Sequence, residues 1–251
     1  MQIIISPAKT MKEDRDSLPV NGLPHFLKET RELLRAVQAL SYEEAKELWG
    51  CNDKLAQLNC QRFRQMDLEK NLTPAVLAYE GLQYQHMAPR VFTWQALSYL
   101  EKHLRILSGF YGVLSPFDGV TPYRLEMQAR LSVNEASNLY DFWGKSLYQE
   151  VRGEDGVIIN LASKEYWMAV APFLGPEDTW ITCTFGQLNK GKVKQKATLA
   201  KMARGEMVRF MAENQVEDPE EMKAFSALNF RYAEEFSTKE NMVFLAPESV
   251  L

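Results

Sequence analysis

The sequence predicts a mixed α/β protein. Two observations predict this. Short β-branched runs at Gln2–Ile5, Val157–Leu161 and Thr179–Phe185 read as buried strands. Between and beyond them lie stretches with apolar residues at helical spacing, of which Leu199–Asn214 is the clearest. Strands and helices interleave along the whole chain, without repeat or low-complexity linker, so a single domain is the simplest organisation.

The elements follow in order. Gln2–Ile5 is a strand that Ser6-Pro7 stops, because proline cannot continue a ladder. A polar loop runs to Pro24, and Phe26, Leu33, Leu34, Val37 and Leu40 then mark a helix. Ser41-Tyr42-Glu43-Glu44 is a capping box opening the next helix, and Asp53 caps another that carries Lys54, Leu55, Leu58 and Arg62. Thr73-Pro74 places a cap and a first-turn proline before Ala75–Tyr79. Phe92–Leu107 reads as one long amphipathic helix containing Arg105, followed by a tight hairpin through Gly109 and Gly112. Leu139–Val151 is helical and Lys192–Lys196 is an exposed strand.

The chain has 251 residues, 46% of them hydrophobic and 25% charged, a balance that excludes disorder. No apolar run approaches the ~20 residues of a membrane helix. The first residues lack the basic and apolar regions of a secretory signal, so a cytoplasmic location without membrane contact is expected. Three cysteines without CxxC spacing and three scattered histidines suggest neither a disulfide framework nor a metal site, and no cofactor is expected. The cysteines read as buried structural thiols.

Net charge is −4, but its distribution is uneven. Residues 186–214 hold seven Lys or Arg (Lys190, Lys192, Lys194, Lys196, Lys201, Arg204, Arg209) against two Glu, while residues 215–251 hold eight acids against three bases. A basic face on an acidic protein follows. The helical part of this segment is either a solvated face or a polyanion contact.

Four further motifs carry candidate chemistry. In Ser6-Pro7-Ala8-Lys9-Thr10 a strand delivers hydroxyls and an ammonium into a loop, a set that can hold an anion. Arg124 and Glu126, alternate residues of an extended segment, share a face, either as an ion pair or as an Arg that holds phosphate with Glu orienting it. Asn160, Ser163, Lys164 and Glu165 lie at the end of a buried strand, where ligands of open α/β sheets bind, although Ser163 could equally be a helix cap. Gly109 and Gly112 resemble, at looser spacing, the glycines by which helix-hairpin-helix modules approach phosphates.

Together these motifs resemble the YaaA family of bacterial peroxide-stress proteins. The matching stretches are Ile5–Thr10, Asp53–Phe63, His103–Asp118, Pro122–Met127, Leu139–Gly144, Val157–Tyr166 and Ala200–Phe210, in the family's order and nearly end to end. The resemblance implies a single domain with a mixed sheet wrapped by helices, described as cantaloupe-like, and an element similar to helix-hairpin-helix. It implies duplex or distorted DNA as partner, bound in a basic cleft, and protection against peroxide and unincorporated iron. The sequence departs from the family at Ser115, often Arg, at Asn52, commonly Ser, and after Phe244, where basic residues are missing.

Two functions follow as expectations. In the first, Ser6, Lys9, Lys54, Arg62, Arg105, Arg124, Lys164, Lys201, Arg204 and Arg209 contact DNA phosphates, and Gly109 and Gly112 let the hairpin backbone come close. In the second, Ser6, Lys9, Arg124, Glu126, Asn160, Ser163 and Glu165 form the pocket of an enzyme acting on a nucleotide or damaged base, since phosphate binding alone needs neither Glu nor Asn. Convergence of these residues in one concavity separates the two.

Overall fold

Ile3, Ile4 and Ile5 are wholly buried, and the strand they form, β1 (Gln2–Ile5), lies at the centre of the molecule. The computed structural model describes residues 1–247. Counting only strands of the main sheet, β1 is followed by β2 (Leu104–Ser108), β3 (Gly112–Leu114), β4 (Val157–Leu161), β5 (Thr179–Asn189), β6 (Lys192–Lys194), β7 (Arg231–Tyr232) and β8 (Asn241–Leu245). The order across the sheet is β7-β8-β5-β4-β1-β2-β3, with β6 folded back on β5. The five inner strands are parallel, and β3 and β7 close the edges antiparallel. Inner strands of such a sheet are covered on both faces, which is why they read as continuous apolar runs.

The connection from β1 to β2 carries α1 (Leu27–Gln38), α2 (Tyr42–Trp49), α3 (Asp53–Gln65), α4 (Ala75–Ala78), α5 (Leu82–Met87) and α6 (Trp94–His103). Between β3 and β4 come α7 (Leu139–Trp143) and α8 (Ser146–Val151), and between β4 and β5 the single turn α9 (Lys164–Trp167). The longest helix, α10 (Ala197–Asn214), follows β6. One continuous hydrophobic core joins these elements.

Several local expectations hold. Ser41 and Glu44 form both bonds of the capping box, and the helical stretch from Leu139 breaks at Gly144 into α7 and α8. Others are corrected. The segment Phe92–Leu107 is not one helix: α6 ends at His103, and Leu104 turns extended at φ −86°, ψ 135°. Leu104 and Ile106 then pair with β1 and Leu107 with Val113 of β3, all three fully buried, so the ladder outweighs the helical period. The hairpin at Gly109 therefore joins strand to strand, and no helix-hairpin-helix lies there. Thr73-Pro74 forms a two-residue ribbon with Gly119–Val120 rather than the first turn of a helix. Asn52, not Asp53, caps α3 by accepting from Leu55 N–H at 3.0 Å, so the departure from serine there preserves the cap. Asp53 instead takes Lys46 at 2.7 Å and the Tyr42 hydroxyl at 2.9 Å. Cys183 is buried, Cys51 and Cys60 are half-buried, and all three are free thiols.

Candidate functional site

The chain leaves β1 toward β2 on one side, and later leaves β4 toward β5 on the other. The gap beyond the carboxyl ends of β1 and β4 is thus the switch point of the sheet, the place where helices diverge and a crevice opens. Ser6 and Ser163 meet in it. Ser163 N–H donates to Ser6 Oγ at 2.8 Å, and Ser6 Oγ donates to Ser163 Oγ at 3.1 Å. Ser163 occupies the cap position of α9 but makes no side-chain cap bond, which leaves its hydroxyl facing the crevice. Asn160 sets up this turn: its Oδ1 accepts from Ala162 N–H at 3.0 Å and its Nδ2 donates to Thr182 Oγ1 at 3.2 Å. Asn160 is buried and spent on these bonds, so it is a scaffold residue and not the pocket group expected.

The second wall is the segment Tyr123–Glu126. It packs on the hairpin at Gly109, where a Cβ would lie 2.6 Å from Leu125 O, so only glycine allows the approach. Trp143 Nε1 donates to Gly109 O at 3.1 Å from the other side. Gly112, at φ +75°, is packed against Trp143 and Phe26. Both glycines are therefore buried packing positions, and the expected phosphate contacts of the hairpin are corrected. Tyr123 OH is fixed by Ser108 Oγ at 2.5 Å and Tyr79 OH at 2.8 Å. Glu126 holds Lys9 at 2.7 Å on one oxygen and Arg124 at 3.1 Å on the other. Arg124 also donates to Trp49 O at 3.4 Å, while its Nε is buried without a partner.

Helices α5, α9 and α10 close the site. Gln83, Tyr84, Glu165, Tyr166, Lys201 and Arg204 join Ser6, Ser163, Lys9, Arg124 and Glu126 around a cavity of about 340 Å³. Lys9, Arg124 and Glu126 also border an adjoining cleft of about 910 Å³ that reaches Trp49 and Arg130. Gly205 brings α10 onto α5: a Cβ there would lie 2.1 Å from Gln83 O. Its neighbour Arg204 is consequently held against the cavity, so of the two alternatives for this helix Arg204 does not lie on a merely solvated face.

The electrostatics are uneven. Arg204 makes no hydrogen bond or ion pair among the described residues, and its Nε is buried. Burial depresses its pKa. The group that opposes this shift is the Cys183 thiol, which burial pushes up to about 12, so it supplies no negative charge at neutral pH. A half-buried guanidinium without a counter-charge loses part of its hydration, which a ligand anion would offset. Glu165 is shifted the opposite way: burial, then the Glu126 charge, raise its pKa, while Gln128 N–H at 3.3 Å and Lys9 oppose. Burial also raises Tyr84, Tyr123 and Tyr166, which stay neutral hydroxyls. Tyr84 OH donates to Ser6 O at 2.9 Å.

Of the expected site residues, the fold gathers Ser6, Lys9, Arg124, Glu126, Ser163, Glu165, Lys201 and Arg204. It places the others elsewhere. Lys54 and Lys164 are exposed outside the cavity. Arg62 reaches Met11 O at 3.5 Å from α3. Arg105, on β2, donates to Glu101 O at 3.2 Å and Leu104 O at 2.8 Å at the end of α6. Arg209 pairs with Glu213 one turn along at 2.9 Å. Tyr84, Tyr123, Tyr166 and Gln83 were missed. Tyr123 and Tyr166 sit inside the motifs already singled out, so proximity to Arg124 and Glu165 was an available signal.

The fold and site define a mixed α/β protein with a cavity lined by Arg, Lys and Glu at the switch point of its sheet. Comparison with known proteins narrows this class. The family described as Peroxide stress protein YaaA matches residues 1–236. A UPF0246 protein of Pediococcus pentosaceus is 53% identical over 248 residues, covering 99% of each chain. One from Lachnoclostridium phytofermentans is 51% identical over 249 residues, 99% of this chain and 98% of its own. The chain belongs to the YaaA peroxide-stress family. No helix among the described residues is long and apolar enough to cross a membrane.

Proposed function

We propose that this peroxide-stress protein binds distorted DNA at the switch-point cavity, with one nucleotide unit drawn inside. Arg204 carries the reading: a half-buried guanidinium bordering the cavity, with its Nε buried and unpartnered, is matched by a phosphate. Lys201 at the mouth adds positive charge, and Ser6 and Ser163 add hydroxyls. A cavity of about 340 Å³ suits one nucleotide and not a duplex. A base must then leave the stack, which costs least where the duplex is already damaged or mismatched. Under peroxide stress, occupancy of such sites protects the DNA.

The test is a salt-titrated binding assay on a bulged duplex, a fully paired duplex and deoxyadenosine monophosphate. The bulged duplex should bind tightest. Arg204→Met should weaken it by about 10- to 150-fold, the worth of a hydrogen bond to a charged group. Equal binding of bulged and paired duplexes, or an unchanged affinity in the variant, refutes the reading.

One observation favours the second reading, an enzyme acting on a nucleotide or damaged base. Burial raises the pKa of Glu165, while Glu126 on the same cavity is paired to Lys9 and Arg124. Two carboxyls in such different surroundings, one half-buried without a cation partner among the described residues and one ion-paired, suit general acid–base chemistry. Glu165→Gln should then abolish conversion of the monophosphate or bulged duplex, followed by chromatography, and spare binding. Absence of any conversion by the unaltered protein refutes it.

A further inference from the structure

Four lysines lie outside the cavity but belong to its edge of the sheet. Strand β5 runs to Asn189, turns through Lys190-Gly191 and returns as β6, with Lys192 paired to Asn189 and Lys194 to Gln187. Lys190 and Gly191 have φ of 49° and 75°, the left-handed pair of a two-residue type I′ turn. Asn or Gly suits the first of these positions better, so a lysine there is a choice made against local conformational preference. Lys190, Lys192, Lys194 and Lys196 are all exposed, and none makes an ion pair among the described residues. Val193 is turned in toward Gly186. The strand pleat therefore sets Lys192 and Lys194 on the opposite, outer face.

The topology sets where this ribbon stands. β5 is parallel to β4, and β4 to β1, so the ribbon leaves the sheet at the same carboxyl edge that carries Ser6 and Ser163. Lys196 leads directly into α10, which brings Lys201 and Arg204 to the cavity.

We propose that the β5–β6 ribbon is an arm that grips the phosphates flanking the nucleotide held in the cavity. The proposal rests on reading the cavity as a nucleotide site. Like charges crowded on a tight, rigid turn repel one another, and a partner with closely repeated negative charge relieves them. A nucleic-acid backbone has that charge pattern along its whole length.

The experiment replaces Lys190, Lys192, Lys194 and Lys196 together by glutamine. Thermal unfolding of the variant checks that the fold is kept, as all four side chains are exposed. Binding is then measured against the bulged duplex over a salt series, against deoxyadenosine monophosphate, and against phosphatidylglycerol vesicles. The log–log salt slope for the duplex should fall by up to about 3.6, at about 0.9 for each phosphate contact removed. Monophosphate affinity should stay unchanged, whereas Arg204→Met loses it. A variant with the same duplex affinity and slope as the unaltered protein overturns the arm and leaves the cavity reading intact. So does a variant that loses vesicle binding alone. If the unaltered protein binds the monophosphate but no duplex, the arm is again overturned, and if it binds neither, both readings fall.

Discussion

Arg204→Met separates a ligand-binding arginine from a structural one. Methionine keeps much of the stem that packs between α10 and the cavity, and removes the guanidinium whose Nε is buried without a partner. An unsatisfied buried polar group costs about 1–3 kcal/mol, so without ligand the variant should be as stable as the parent or more so by that amount. For a chain of this size each kcal/mol moves Tm by about 2–4 °C, which puts the unliganded variant up to about 10 °C higher. A ligand at a hundred times its Kd stabilises by about 2.7 kcal/mol. The parent should therefore gain about 5–10 °C with saturating deoxyadenosine monophosphate, and the variant about 1 °C or less. Differential scanning calorimetry with and without the monophosphate reads both numbers. A variant that melts lower than the parent without ligand, and keeps the parent's ligand shift, refutes the reasoning, because Arg204 would then be part of the scaffold. Stability gained at the expense of binding is the signature of a site built for a missing partner.

Two further outcomes are expected. Asp118 is raised to about 6, first by burial, with Ser115 N–H at 2.8 Å and Arg105 opposing. A carboxyl raised in the folded state stabilises below its unfolded pKa and loses that contribution as pH rises through the folded value. Urea unfolding should thus show the parent losing stability relative to Asp118→Asn between about pH 4 and pH 6, and a constant difference across that range contradicts the assignment. Gly205→Ala places a methyl 2.1 Å from Gln83 O, forcing α10 off α5. It should cost about 1–3 kcal/mol by chemical denaturation and weaken monophosphate binding through displacement of Arg204, whereas a silent substitution would show that the helices do not need this contact.

Much of the scaffold is legible in the sequence because its signals are local. β-branched runs, the Ser41–Glu44 capping box and the proline after β1 act over a few residues, and each structure follows from its own segment. Leu104–Ser108 was not legible, since its apolar spacing continues the period of α6 and only pairing with β1, about a hundred residues earlier, makes it a strand. The glycines of the hairpin were misread for a related reason. A bare backbone suits a phosphate or a packed chain equally, and the segment Leu125–Met127 occupies the place.

The site divides the same way. Residue chemistry and end-of-strand position singled out Ser6, Lys9, Arg124, Glu126, Ser163, Glu165, Lys201 and Arg204 one motif at a time. What the sequence by itself determined is this inventory of groups, the basic stretch that contains Lys201 and Arg204, and membership of the peroxide-stress family. Only the tertiary structure decided which groups face each other. Ser6 meets Ser163 across 157 residues of chain, Arg62 reaches the distant Met11 carbonyl, and Arg105 and Arg209 are drawn off to local carbonyl or carboxylate partners. A side chain's charge is encoded at its own position, but the burial that depresses the Arg204 pKa and leaves its Nε unpartnered arises from the elements packed around it.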